Sequence, residues 1–137
     1  MIYLIDTNIF LRGLIKEDLS TFKDSINFLK KVKENKVKAV TTHLILAELA
    51  WTLSSFYKVP KKEVILSIKS IINLRGVDLI DSYDINLAIS IYEKLNVKFI
   101  DSMIASIRKI QNKEWAIISY DKDFDKIGVT RCEPGDI

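Results

Sequence analysis

Residues 1–10, MIYLIDTNIF, decide how the rest of the chain is read. Ile2 to Ile5 form a short apolar run with the character of a buried strand. The chain then sets a carboxylate, Asp6, where that strand stops, followed by Thr7, Asn8 and a second apolar run, Ile9, Phe10 and Leu11. A helix cap explains Asp6, because an Asp side chain accepts backbone N–H bonds at the start of a helix. A first member of a metal site explains it equally well. The acids further along the chain separate the two.

Downstream, apolar periodicity predicts alternating helices and strands. A short helix is expected over Asn8–Ile15. An amphipathic helix is expected over Thr21–Lys33, with Phe22, Ile26, Leu29 and Val32 on its inner face. A β-branched strand follows at Val37–Thr41. Helices are expected over Leu44–Phe56 and Lys61–Leu74, the second with Val64, Ile65, Ile68, Ile71 and Ile72 on one face. A third strand falls at Val77–Ile80, a helix capped by Asp84 over Ile85–Leu95, and a helix preceded by Asp101 over Ser102–Gln111. Trp115–Ser119 is the fourth strand, and a short fifth lies near Val129–Cys132. Strands separated by helices imply an α/β fold with a central parallel sheet of four or five strands and helices on both faces. In such sheets ligands gather at the carboxyl ends of the strands.

The carboxylates can now be weighed together. Asp6 and Asp121 each follow a strand, and Asp121 alone would pass as an Asx-turn residue. Glu48 lies in LILAELAWTL, among Leu44, Leu46, Ala47, Leu49, Ala50, Trp51 and Leu53, where a carboxylate needs a partner such as Lys58 or a cation. Asp101, in VKFIDSMIASI, would cap its helix, with the small Ala105 one turn on leaving space beside it. Each bland reading stands singly. Jointly, a parallel sheet sets Asp6, Glu48, Asp101 and Asp121 on one rim. Clustered carboxylates repel one another unless a cation balances them. An oxygen-only cluster suits Mg²⁺ or Mn²⁺, whereas the single His and single Cys make zinc a poor fit. Carboxylate-held metal pairs serve in-line displacement at phosphorus.

Composition bounds the remaining classes. The chain has 137 residues, 48% hydrophobic and 28% charged, which fits one globular domain spanning residues 1–137. Gly (4) and Pro (2) are too few for a turn-rich all-β fold. No apolar run is as long as a membrane span, no signal peptide is expected, and the lone Cys132 points to a reducing, cytoplasmic setting. The net charge of +3 is compatible with nucleic acid.

IDTNIF, LAELAWTL, FIDSMIAS and ISYDKDFD occur in an order that resembles the PIN-domain nucleases, most of all VapC-type toxins of toxin–antitoxin pairs. The resemblance spans nearly the whole chain and implies a three-layer PIN-like fold. It implies a metal-dependent endoribonuclease that cleaves single-stranded RNA or a structured RNA loop with Mg²⁺ or Mn²⁺. It also implies a homodimer and a cognate antitoxin protein whose tail blocks the site. By position, Asp6, Glu48, Asp101 and Asp121 match the family's acidic residues, and Asp123 an additional acid found in part of the family. Thr7 and Asn8 match the polar residues that orient the carboxylates, with Ser119 as further support. Tyr120 sits where the family varies and is assigned no role.

Other features receive smaller roles. Arg12 is a candidate RNA contact, as is the basic run Lys30 to Lys38, although a solvated helix end explains the run too. His43 is read as structural. Neither a nucleophile elbow nor a Gly-rich phosphate loop is present. The apolar face of Lys61–Leu74 with Trp51 and Phe56 suits the core, or else a dimer or antitoxin groove. Three rival readings remain: a PIN-type RNA-processing nuclease without a toxin role, a non-catalytic RNA-binding module, and a receiver-like Mg²⁺-binding signalling module phosphorylated on Asp81.

Overall fold

Short apolar and β-branched runs line up side by side in the computed structural model, which describes residues Met1–Ile137. They form β1 (Ile2–Ile5), β2 (Lys38–Thr41), β3 (Val77–Leu79), β4 (Trp115–Ile118) and β5 (Arg131–Cys132). All neighbours pair in parallel, in the order β3-β2-β1-β4-β5. The central strands are buried on consecutive residues: Leu4 and Ile5 in β1 and Ala116, Ile117 and Ile118 in β4 are all fully buried. Continuous burial of that kind marks a sheet covered on both faces.

Helices supply the cover: α1 (Thr7–Leu14), α2 (Leu19–Lys33), α3 (His43–Ser55), α4 (Lys61–Ile72), α5 (Ile85–Lys94), α6 (Phe99–Ala105), α7 (Arg108–Gln111) and α8 (Asp123–Ile127). The chain steps outward from β1 to β2 and β3, then crosses back to β4 and β5. Right-handed crossovers put the helices of these two journeys on opposite faces. The contacts agree: α1 packs on α2 and α3, and α3 on α4, whereas α5 packs on α6 and α6 on α8. The core joins Leu4, Ile5 and Ile117 to Ile9 and Phe10 of α1, Phe28 of α2, Leu49 and Leu53 of α3, and Phe124 of α8. Each such side chain contributes roughly 1.5–3 kcal/mol by leaving water. The chain reverses direction between β1 and β4, and the crevice at that switch point is where a ligand is expected.

The expected elements are present, with shifted ends and several corrections. The helix expected over Ser102–Gln111 is two helices, α6 and α7. Ser106 interrupts it, because its hydroxyl donates to Met103 O (2.7 Å) and accepts from Asp84 N (3.1 Å). Ile107 then takes an extended conformation and is buried. Asp101 consequently lies inside the first turn of α6 and is not its cap. The inner face of α2 is Ser25, Phe28 and Val32; Ile26, expected inside, is exposed. A buried serine in the stripe is what hid this face from apolar periodicity. Val64 and Ile71 of α4 are buried, but Ile65 and Ile72 are exposed. Helix α8 and the 3₁₀ turn Pro134–Asp136 were not expected from periodicity, being too short to show it.

Two glycines have positive φ, Gly76 (89°) before β3 and Gly128 (84°) after α8. A Cβ on Gly76 would lie 2.6 Å from the Val32 carbonyl oxygen, whereas one on Gly128 would meet nothing within 4 Å. Gly128→Ala therefore carries only the left-handed backbone penalty, about 1 kcal/mol, while Gly76→Ala adds a backbone clash and is expected to cost about twice that or more. Urea unfolding of the two variants checks the order; equal losses would contradict it.

Candidate metal centre at the carboxyl edge of the sheet

The site begins where β1 and β4 end. Asp6 N still donates to Ile118 O (3.1 Å), so the residue after β1 stays fastened to β4. Asp6 stands at the N-cap position of α1, but its side chain makes no capping bond. Its Oδ2 instead accepts from Ser119 Oγ at 2.6 Å. The same hydroxyl accepts from Asp121 N (2.9 Å) and is reached by Asn8 Nδ2 (3.4 Å). Asn8 Oδ1 in turn accepts from Tyr120 N (3.3 Å). Ser119 is thus the hub that joins the ends of both central strands. Asp121 does form the Asx turn that its sequence suggested, since its Oδ1 accepts from Asp123 N at 2.9 Å. That bond occupies one oxygen and leaves the other available.

The remaining acids arrive from helices. Glu48, on α3, is half-buried, and no ion pair joins it to Lys58 or any other cation. Asp101, on α6, is 4% exposed, and its Oδ2 is buried with no hydrogen-bond partner. Asp6, Glu48, Asp101 and Asp121 line one cavity of about 280 Å³, with Thr7 and Asn8 also on its wall. Carboxylate oxygens of Asp101, Asp121 and Asp123 lie within 4.8 Å of one another, close enough for one cation to span. The cavity and this trio are two overlapping views of one acidic site that share Asp101 and Asp121. Asp123 stands at its edge, paired with Lys126 at 3.0 Å.

Electrostatics follow from the crowding. Burial, above all, pushes the Asp101 carboxyl up to about 8, and the charges of Asp6 and Asp121 push it the same way, with Lys98 opposing. Burial likewise pushes Asp6 up to about 6, against the Ser119 hydrogen bond that lowers it, with Glu48 and Asp121 adding to the rise. Without a cation Asp101 holds its proton near neutral pH, whereas Asp6 loses its proton around pH 6. An unpartnered buried oxygen, an oxygen-only donor set and two acids raised by burial and neighbouring charge all fit a hard divalent ion. The chain's one His and one Cys are elsewhere, His43 exposed beside Asp81 and Cys132 on β5.

Some expected residues fall outside the cavity. Arg12 faces Glu17 at 3.6 Å. The run Lys30 to Lys38 lies at the end of α2 and the start of β2, the amino edge of the sheet, opposite the acids. Asp81 follows β3, an edge strand, and is held by His43 and Tyr83. Burial raises its carboxyl, but those two hydrogen bonds bring it below the usual range. A receiver's acceptor follows a central strand of a sheet ordered 2-1-3-4-5, so the signalling reading fails on strand order. Thr7 Oγ1 is buried and unpaired, and the hydroxyl that touches a carboxylate is that of Ser119. Lys98, Leu11, Thr52 and Trp51 also line the cavity. None had been assigned to the site from the sequence, although Trp51 and Thr52 follow Glu48 by three and four residues and so share its helix face.

The PIN domain family matches residues 3–129. In structure the chain is similar to VapBC2 from Rickettsia felis, solved bound to a DNA fragment from their promoter. The TM-score is 0.68 at 24% identity, covering 97% of this chain and 98% of that one. It is also similar to VapC20 from Mycobacterium tuberculosis, a sarcin-ricin loop cleaving toxin. There the TM-score is 0.62 at 14% identity, covering 93% and 96%. No curated protein matches the sequence.

The raised acids make the metal-free protein sensitive to pH. A carboxyl whose folded pKa lies above its unfolded value gives stability that is complete below about pH 4 and is lost as pH rises through the folded values. The metal-free melting temperature is therefore expected to fall, by on the order of ten degrees or more, between pH 5 and pH 8. Asp101→Asn should flatten the upper part of that fall and stabilise the metal-free protein at pH 8. Calorimetry in EDTA reads both; a melting temperature that rises over this interval would contradict the raised values.

Proposed function

The chain belongs to the PIN domain family, and from that premise we propose that it is a divalent-metal-dependent endoribonuclease of single-stranded RNA, acting as one domain. Asp6, Glu48, Asp101 and Asp121 are its metal-holding residues, with Asp123 at the margin. The observation that carries this reading is Asp101 Oδ2, buried without a partner in a cavity walled by three further acids. Orphaned buried oxygens are costly and persist where a ligand satisfies them. Bound Mg²⁺ or Mn²⁺ would supply an acidified water for attack on phosphorus and positive charge against the leaving oxygen.

The chain's own residues do the positioning. Ser119 fixes one oxygen of Asp6, which makes no side-chain cap on α1. Asn8 holds Ser119 and the Tyr120 amide, and the Asx turn sets Asp121. Asp101 keeps its proton near neutral pH until a cation takes its place. Such supporting contacts govern how well ligands are presented.

The role is that of the toxin in a toxin–antitoxin pair. The likeness to VapBC2 and VapC20 favours it, and VapC20's sarcin-ricin loop suggests a structured RNA loop as substrate. Exposed apolar groups at the end of α3 and on α4 (Phe56, Ile65, Leu66) and on α5 and α6 (Ile85, Ile89, Tyr92, Phe99) give area for a homodimer and an antitoxin. No helix is long and apolar enough to cross a membrane, and cytoplasmic RNA is the proposed target. An RNA-processing nuclease without an antitoxin would use the same site.

Incubation of purified protein with structured RNA should yield cleavage with Mg²⁺ or Mn²⁺ and none with EDTA. Asp101→Asn and Asp6→Asn should each lower the rate at least about a hundredfold, and Ser119→Ala about tenfold. Full activity in Asp101→Asn would overturn the assignment.

A further inference from the structure

Two non-acidic walls of the acidic cavity have no task in holding a metal. Trp51 is 67% exposed, although α3 buries Ile45, Leu46, Leu49 and Leu53 on its other side. An indole left so far in water forgoes most of its burial gain. It lies three residues after Glu48 and therefore flanks the same opening. Lys98 immediately precedes α6 and is the one cation on the cavity wall. An RNA phosphate approaching that wall meets four carboxylates of like charge.

We infer that Trp51 and Lys98 grip the RNA: the Trp51 indole is the platform on which an unpaired base stacks, and the Lys98 ammonium contacts a backbone phosphate beside the cleaved bond. This rests on the nuclease reading above. Base stacking on an aromatic ring needs the base to be free of its duplex partner, so Trp51 makes the enzyme selective for single-stranded segments. It is tolerant of base identity, because every base has a π-face. Lys98 neutralises one phosphate and so adds one counterion-release step to binding. Both are binding residues, and their effects should appear in KM far more than in kcat.

The test is steady-state cleavage of a short single-stranded RNA by the Mn²⁺-loaded protein at several salt concentrations. Trp51→Ala should raise KM about tenfold with kcat little changed, and Trp51→Phe should restore most of the loss. Lys98→Gln should reduce the slope of log kcat/KM against log salt by about 0.7, and Lys98→Arg should keep it. Trp51→Ala should leave that slope unchanged. Both side chains are exposed, so the variants should melt with the wild type. Sedimentation of Trp51→Ala tests the rival in which the indole serves a protein interface. A change in oligomeric state that accompanies the KM loss, unrescued by Phe, overturns the stacking role. Cleavage by wild type with unchanged KM and slope in the variants sinks this inference alone. Absence of any RNA cleavage by wild type sinks the nuclease reading and this one with it.

Discussion

The hydrogen bond from Ser119 Oγ to Asp6 Oδ2 organises the site. It joins the residues that follow β1 and β4, the two central strands between which the chain reverses direction. The same hydroxyl receives the Asp121 amide and the Asn8 side chain, so one oxygen atom relates Asp6 to Asp121. Strand register makes this possible. Ile5 pairs with Ile118, which brings the next residues, Asp6 and Ser119, level with each other. A slip of one residue would turn every β4 side chain to the opposite face and separate them.

The arrangement works against stability. Asp6 and Asp101 are buried, charged with difficulty and surrounded by other acids. The fold tolerates this because the core beneath is continuous, with Leu4, Ile5, Ile117 and Ile118 buried completely and helices on both faces. The crowding of acids is confined to the rim. The same reasoning separates the cavity wall into two parts. Four of its residues are acids that repel one another, while Trp51 is apolar and Lys98 carries the one positive charge.

Much of this was legible in the sequence. The alternation of short apolar runs with helical periodicity specified a parallel α/β sheet, and the placement of Asp6, Glu48, Asp101 and Asp121 relative to those runs put them on one edge. The misreadings have physical causes. Ser25 in the buried stripe of α2 disguised its inner face. Ser106 satisfied two backbone groups and broke a helix whose periodicity runs on without interruption. On α4 the sequence left the apolar face open between core and groove, and the structure divides it, burying Val64 and Ile71 and leaving Ile65 and Ile72 in water, because periodicity states which residues share a face and not whether anything covers it.

The sequence by itself determined the element order, the fold class and the identity of the acids, because these depend on local periodicity and on which residue follows each strand. The tertiary structure alone decided the rest. It left Asp101 Oδ2 without a partner, made the Ser119 hydroxyl the hub in place of Thr7, carried Asp81 to an edge strand, and turned Trp51 and Lys98 towards the acids. These are properties of strand order and of packing between residues far apart in the chain. Burial and proximity, which set both the pKa of each acid and its neighbours, arise only once the sheet has closed around the β1–β4 crevice.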